Sequence, residues 1–151
     1  MTEPSRTSPG AVLFACARNV IRSPMAAAIT RKLFPATIYC ASVGVREGEP
    51  DPFVAAVMEE IGIDMSGHRA TVFDELSDTS FDLVITMSPE AHHRAMELTR
   101  TQAFDVEYWP TDDPTAAFGS RDQRLDAYRR LRESLIGRIK ERFHWTSPPG
   151  A

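Results

Sequence analysis

The order of apolar and polar residues along the chain predicts strands and helices in strict alternation. Four short apolar runs have the length of buried strands, at residues 11–15, 37–42, 81–87 and 105–109. Four other segments show helical spacing of apolar residues, helix formers or capping signals, at residues 22–34, 51–61, 88 onward and 121–143. The chain is therefore predicted to repeat the order β-α four times.

Several residues mark the ends of these predicted helices. Ser23 and Pro24 stand where an N-terminal cap and a first-turn residue would stand, and Pro35 stops the same helix. Gly62 closes the second helix, and Ser88 begins the third with a capping signature. These signals support the helix boundaries, and the last helix shows an apolar stripe opposite a basic outer face.

Such alternation implies a parallel sheet with helices on both faces, and ligands bind such sheets at the carboxyl ends of the strands. We predict an α/β fold with a four-stranded parallel sheet flanked by helices, a flavodoxin-like three-layer sandwich. A single domain is expected over residues 11–145. Residues 1–10 and 146–151 contain several Pro and Gly residues and are predicted to be flexible tails.

Composition and charge narrow the possible partners. The 17 Lys and Arg residues against 21 Asp and Glu give a formal net charge of -4, which argues against broad nucleic-acid binding. Residues 1–10 carry no apolar stretch of the kind a secretory signal or a membrane span requires, so a cytoplasmic protein without membrane association is expected. Two cysteines are too few for a disulfide scaffold, and free thiols are predicted. We expect no cofactor, no metal ion, and a monomer or weak homodimer.

Cys16 and Arg22 carry the main chemical signal, because they frame five residues between the first strand and the first helix. A loop at such a junction can turn consecutive backbone N–H groups toward an anion, and the following helix adds its positive end. The same field favours the thiolate of Cys16, and the planar guanidinium of Arg22 can hold two oxygens of a phosphoryl group. Cys16 is therefore a candidate nucleophile and Arg22 its clamp, although Cys16 could also be a small buried core residue.

The remaining residues of this loop are predicted to bind substrate. They are Ala17, Arg18, Asn19, Val20, Ile21 and Ser23. The Ser23 hydroxyl can donate a hydrogen bond to sulfur and so stabilise it as a leaving group when a phosphocysteine breaks down. His92 and His93 lie on a predicted helix without an evident carboxylate partner, so we expect both to be solvated.

Taken together, these motifs resemble the low-molecular-weight protein tyrosine phosphatase family and the arsenate reductases that share its fold. The resemblance runs from about Val12 to Phe143. It rests on residues 16–24 (CARNVIRSP), 41–44 (ASVG), 62–64 (GID), 66–68 (SGH) and 112–114 (DDP). The family implies a phosphocysteine intermediate and an Asp before a Pro that acts as general acid and then as general base.

Asp113 matches that acid position, and Asp112 is the competing candidate. The family also ties its loop Asn to a Ser and a His in neighbouring loops. Asn19, Ser42 and His68 stand at the matching places, and Ser42 and His68 are therefore predicted supports.

Some positions depart from the family pattern. Arg18 replaces a frequent Gly, and Ile21 stands where many eukaryotic members have a second Cys. Thr115 and Ala116 follow Asp113-Pro114, where many members have the tyrosines of the phosphotyrosine crevice. The paired cysteines that thioredoxin-linked arsenate reductases need after the third strand are absent from residues 87–94.

The predicted function is a phosphatase that hydrolyses phosphate monoesters, either protein phosphotyrosine or a small aryl phosphate, through a phosphocysteine intermediate. One alternative is an arsenate reductase coupled to an external small thiol, because residues 109–114 (WPTDDP) resemble the late loop of arsenate reductases. Another is a phosphate-sensing module without turnover.

Overall fold

The sheet at the centre of the fold has four strands, all parallel. The computed structural model describes residues 9–76 and 80–147. The strands are β1 (Ala11–Cys16), β2 (Tyr39–Gly44), β3 (Leu83–Thr86) and β4 (Asp105–Tyr108), and their order in the sheet is β2-β1-β3-β4. The helices are α1 (Arg22–Leu33), α2 (Pro52–Glu59), α3 (Pro89–Leu98) and α4 (Arg121–Arg142). Single 3₁₀ turns cover Phe73–Glu75 and Pro114–Ala116.

The two faces of β1 divide the core into two layers. Val12, Phe14 and Cys16 pack on one face with apolar residues of α1, α2 and α4. Leu13 and Ala15 pack on the other face with residues of α3 and of the first 3₁₀ turn. Because side chains alternate along a strand, a central strand covered on both sides is apolar throughout. The predicted three-layer sandwich is confirmed.

The predicted elements are all present, and their ends differ by a few residues. Strand β2 begins at Tyr39 rather than at residue 37, because Ile38 N donates to Phe34 O and closes a turn after α1. Ser88 caps α3 as predicted, accepting a hydrogen bond of 3.2 Å from Ala91 N. None of the helices within the described ranges is long and apolar enough to cross a membrane. Most of the two predicted tails lies outside the described residues.

Ser23 does not cap α1, which corrects the sequence-based prediction. The helix begins at Arg22, and the residue at the cap position is Ile21, which offers no side-chain hydrogen bond. Ser23 is the second residue of α1 and is fully buried. Its hydroxyl is directed to the β1–α1 loop instead, since the loop needs a polar contact inside the core.

The prediction that His92 is solvated is also wrong. Its Nδ1 lies 2.9 Å from Thr86 Oγ1, and its ring stacks on Tyr108 with the ring centres 4.7 Å apart. The turn between β3 and α3 is so short that the first turn of α3 packs back on the sheet. His93 is exposed as predicted, but Glu97 does lie one helical turn away, with 3.9 Å between Nε2 and Oε1.

Candidate active site

Cys16 is the last residue of β1, at the carboxyl edge of the sheet, and it is almost completely buried. Its Sγ lies 2.9 Å from the hydroxyl oxygen of Ser23. Ser23 comes one residue after Arg22, so the first turn of α1 brings a hydroxyl group to the sulfur. The β1–α1 connection therefore places the thiol at the helix N-terminus, where an anion is stabilised.

The Ser23 hydroxyl group has a limited set of partners. Asn19 Nδ2 donates to Ser23 Oγ over 2.9 Å, and Ser23 Oγ can donate to Val43 O over 3.3 Å or to Cys16 Sγ. Ser23 has a single hydroxyl hydrogen, so rotation of this group lets it serve either acceptor. When Cys16 is a thiolate, the hydrogen bond to sulfur is the stronger one, because the acceptor is charged.

The backbone carbonyl groups of the loop are bound from outside. Val45 N and Arg46 N donate to Ala17 O over 2.9 and 3.0 Å. His68 Nε2 lies 2.8 Å from Asn19 O, and because a carbonyl oxygen only accepts, this ring nitrogen carries the hydrogen. The N–H groups of residues 17–21 make no hydrogen bond to any described part of the chain. They remain available to an anion above Cys16.

Asn19 holds the shape of this loop. It is fully buried and has a φ of 56°, a left-handed conformation that Asn tolerates better than most residues. Its Oδ1 accepts a hydrogen bond of 2.9 Å from Thr71 N, while its Nδ2 donates to Ser23. His68 contacts the main chain of this same residue.

Within the described ranges Ser42 makes no hydrogen bond to Asn19, the residue that the resemblance implied it would support. The serine bonded to Asn19 is Ser23. Ser42 lies in β2 opposite Phe14, two register positions before the edge where Cys16 pairs with Gly44.

Gly44 is a site residue that the sequence analysis did not single out for its geometry. A Cβ atom at this position would lie 2.7 Å from both Arg18 C and Asn19 N, which are backbone atoms. Only a glycine lets β2 approach the loop this closely. Its place as the last residue of the ASVG motif was the available signal.

Arg22 is anchored by the loops that follow β3 and β4. Its Nη1 donates to Thr111 O over 2.8 Å and lies 3.4 Å from Met87 O. The guanidinium group has five N–H donors, so the others remain free to bind oxyanion oxygens. Because Arg22 also lines the cleft that contains Cys16, its position fits the predicted clamp.

An open cleft of about 710 Å³ lies above Cys16. Asp113 lines this cleft and Asp112 does not, which distinguishes the two acid candidates by position. Asp51 and Tyr128 form part of the wall, and the Tyr128 hydroxyl donates to Asp51 Oδ2 over 2.6 Å. Burial, followed by this hydrogen bond, raises the pKa of Tyr128 well above its usual range, so it remains a neutral phenol.

Phe53 lines the same cleft next to Tyr128. The guanidinium carbon atoms of Arg124 and Arg121 lie 4.9 and 5.6 Å from its ring centre, and the edge of Tyr128 packs against it. These are cation–π contacts. The Phe53 ring in the cleft is therefore already in contact with two arginines.

The second thiol, Cys40, is buried in β2 and donates from Sγ to Ala27 O over 3.3 Å. Burial raises the pKa of this thiol above its ordinary value, with Arg31 opposing the effect. Within the described ranges, no three His, Cys, Asp or Glu residues come together in a group that could hold a metal ion. Cys40 is thus placed as a structural residue.

Comparison with known proteins gives relatives of two activities. The chain is 30% identical over 131 residues to a glutaredoxin arsenate reductase of Synechocystis sp., covering 87% of this chain and 91% of the relative. It is 32% identical over 111 residues to a probable low molecular weight protein-tyrosine-phosphatase, EpsP, of Ralstonia solanacearum, covering 68% and 77%. A solved arsenate reductase in the phosphate binding state matches with a TM-score of 0.69 and 27% identity, covering 89% of this chain and 96% of that chain.

The family model for low molecular weight phosphotyrosine protein phosphatase matches residues 11–134. This range includes both halves of the site, the loop after β1 and Asp113. The matched family contains arsenate reductases as well as phosphatases. The chain belongs to the low molecular weight phosphotyrosine protein phosphatase family.

Proposed function

We propose that this protein is an arsenate reductase that takes its electrons from an external thiol. The observation that carries the proposal is the oxyanion cradle of residues 16–22 around Cys16, in a chain whose other thiol, Cys40, lies deep in β2. The sequence motifs favoured phosphatase activity, but several relatives that align over about 85% of the chain are arsenate reductases. Their similarity supports the alternative.

The first chemical step uses groups that line one cleft. The Cys16 thiolate attacks arsenic, an S–As bond forms, and one As–O bond breaks. The departing oxygen leaves as water after it takes a proton from Asp113. Arg22 and the free N–H groups of the loop bind the remaining oxygens and stabilise the charge that they carry.

The second step requires a thiol from outside the chain. A thiolate attacks Cys16 Sγ, an S–S bond forms and the S–As bond breaks. The electron pair of that bond stays on arsenic, so As(V) becomes As(III) and leaves as arsenite. A second thiol then attacks the mixed disulfide, which releases the Cys16 thiolate and an oxidised dithiol.

Cys40 cannot replace this external thiol. It pairs with Val12 in the β1–β2 ladder, whereas Cys16 pairs with Gly44, four positions farther along. At about 3.3 Å per residue the two thiols are roughly 13 Å apart along the sheet, well beyond the separation that a disulfide allows. Formation of that bond would require the central sheet to open.

Phosphate monoester hydrolysis is the second candidate, and the position of Asp113 in the cleft favours it. Cys16 would attack phosphorus while Asp113 protonates the leaving oxygen. Asp113 would then accept a proton from the water that attacks the phosphocysteine. The contact of Arg124 with the Phe53 ring, and Thr115 and Ala116 in place of the tyrosines that many members have, make an aryl group a poorer fit.

One set of assays tests both functions on the same preparation. Arsenite formation is measured with a small thiol, with glutathione plus glutaredoxin and with thioredoxin, and hydrolysis of p-nitrophenyl phosphate is measured in parallel. We expect arsenite formation to depend on the external thiol and two thiols to be oxidised per arsenite. The Cys40→Ser variant should behave as the wild type.

Two results would contradict the proposal. The first is efficient hydrolysis of p-nitrophenyl phosphate with no arsenite formed under any thiol, which would promote the phosphatase. The second is loss of arsenite formation in a folded Cys40→Ser variant, which would mean that Cys40 supplies electrons to Cys16.

A further inference from the structure

Arg46 and Glu90 form a two-pronged ion pair at the cleft. Arg46 Nη1 lies 2.5 Å from Glu90 Oε2, and Nη2 lies 3.1 Å from Oε1. Both residues line the cleft with Cys16, and about half of each side chain is exposed. A paired guanidinium and carboxylate of this geometry has a defined orientation.

The pair spans the carboxyl end of β1. Arg46 follows β2 by two residues, and Glu90 is the second residue of α3, which follows β3. Because β1 lies between β2 and β3 in the sheet, a contact between these two residues crosses the edge at which Cys16 lies. The pair is therefore beside the oxyanion cradle and is held by two separate elements.

Glu90 keeps its negative charge in this position. The hydrogen bond from Arg46 lowers the pKa of Glu90, burial opposes that effect slightly, and Arg18 and Arg22 lower it further. Its place in the first turn of α3 also favours a carboxylate. A fixed negative charge thus lies within electrostatic reach of the arginine that we assign to substrate.

The cleft is lined by equal numbers of basic and acidic residues. The positive ones are Arg18, Arg22, Arg46 and Arg124, and the negative ones are Glu49, Asp51, Glu90 and Asp113. An anion entering the cleft therefore meets repulsion from carboxylates as well as attraction from arginines. Both Arg18 and Arg22 lower the pKa of Glu90, so this carboxylate interacts with the arginines of the loop.

We infer that the Arg46–Glu90 pair sets the affinity of the site for oxyanions, with Glu90 weakening their binding and Arg46 offsetting Glu90. This inference rests on the oxyanion site of the proposed function. Arg46 and Glu90 lie outside the Cys16–Ser23 loop, and through their charges they influence which anions the site binds. The two side chains act in opposite directions, which a purely structural ion pair would not do.

The test measures binding of inorganic phosphate by calorimetry, without thiol, to the wild type and to the Glu90→Gln, Arg46→Gln and doubly substituted proteins. Glu90→Gln should tighten phosphate binding by about two- to fivefold and Arg46→Gln should weaken it by a similar factor, as expected for half-exposed charges. The double variant should lie near the wild type. Both shifts should shrink as salt is raised, because screening reduces them.

The Asp74–Arg94 ion pair supplies matched controls, since Arg94 also belongs to α3 and lies 2.7 Å from Asp74 but neither residue lines this cleft. Asp74→Asn and Arg94→Gln should leave phosphate affinity unchanged. The Arg46 substitution keeps the backbone N–H that binds Ala17 O. Circular dichroism and thermal unfolding check that each variant is folded.

The inference is overturned if Glu90→Gln and Arg46→Gln shift phosphate affinity in the same direction, or if folded variants show no shift. Absence of phosphate binding by the wild type would also overturn it, because the cradle itself would be wrong. If Glu90→Gln binds phosphate more tightly and Arg46→Gln binds it more weakly, but no arsenite is formed, only the proposed arsenate reduction is contradicted. These outcomes separate the two claims.

Discussion

Thr115 donates two hydrogen bonds to one carboxylate oxygen of Asp113, from its backbone N over 2.9 Å and from its hydroxyl over 2.7 Å. The other oxygen, Oδ2, has no hydrogen-bond partner in the described part of the chain. Asp113 is thus held by one oxygen at the start of a 3₁₀ turn, and the other is free to carry a proton. This division suits a general acid.

Asp113→Asn should slow turnover by about a hundredfold or more with a poor leaving group, because proton transfer of this kind contributes at least that factor. An activated aryl phosphate should lose less, since its phenolate needs little protonation. Asp112→Asn is the control, because Asp112 is exposed and outside the cleft lining. A larger loss with Asp112→Asn would transfer the role to that residue.

Cys16→Ser should abolish both arsenite formation and ester hydrolysis while the protein stays folded, because serine at this site is a far weaker nucleophile. Cys40→Ser should retain turnover within about twofold, since the new hydroxyl can also donate to Ala27 O. Steady-state rates and thermal unfolding of both variants are the measurements. Residual turnover above a trace in Cys16→Ser would remove the nucleophile assignment.

Gly44→Ala should disrupt oxyanion binding, because the new Cβ would meet the backbone of Arg18 and Asn19 at 2.7 Å. We expect at least a tenfold loss of phosphate affinity and a stability cost of roughly 1–3 kcal/mol from overpacking. Gly137→Ala is the matched control in α4, where a Cβ meets nothing within 4 Å. That change should keep phosphate affinity and stabilise the helix by about 0.5–1 kcal/mol. Equal affinities for the two variants would show that the close approach of β2 is unimportant.

Acid stability should depend on Glu60, whose pKa is lowered from the usual 4.5 to about 2 by hydrogen bonds from Arg129 and Arg132. A carboxyl group with a lowered pKa in the folded state stabilises it above the ordinary pKa, and this contribution is lost as pH falls toward 2. Between the usual pKa of 4.5 and a pH of about 2, the melting temperature of Glu60→Gln should therefore fall less than that of the wild type. Glu59→Gln, at the neighbouring exposed residue, should preserve the wild-type slope. If the melting temperatures of Glu60→Gln and the wild type fall equally with pH, the contribution of Glu60 to acid stability is contradicted.

The alternation of elements and the Cys16–Arg22 junction could be predicted because both depend on local signals. A buried strand such as β1 is recognisable from its apolar run, and a loop between a strand and a helix N-terminus suits an anion whatever the rest of the fold. Helix α4 was clear from its spacing alone. These features need no knowledge of which strands are neighbours.

Features that depend on contacts between loops were not predicted. Glu90 meets Arg46 because of the order of β2, β1 and β3, and the pattern of the chain does not specify that order. His92 stacks on Tyr108 because β4 lies beside β3 in the sheet. Ser23 resembled a cap in the sequence because Ser and Pro are common at the start of a helix. Only the structure shows that its buried hydroxyl contacts Cys16 and Asn19 instead. Glu97 could have been found from its spacing of four residues from His93.

The carbonyl contacts of the loop have a consequence for protein engineering. Ala17 O is bound by the chain after β2, and Asn19 O is bound by His68, which lies 49 residues farther along. The segment from Cys16 to Ser23 could not be transferred alone to another strand–helix junction, because its carbonyl groups would then lack hydrogen-bond donors. A designed scaffold would therefore need the loop together with the groups that bind its carbonyls, which here are the backbone after β2 and the His68 side chain.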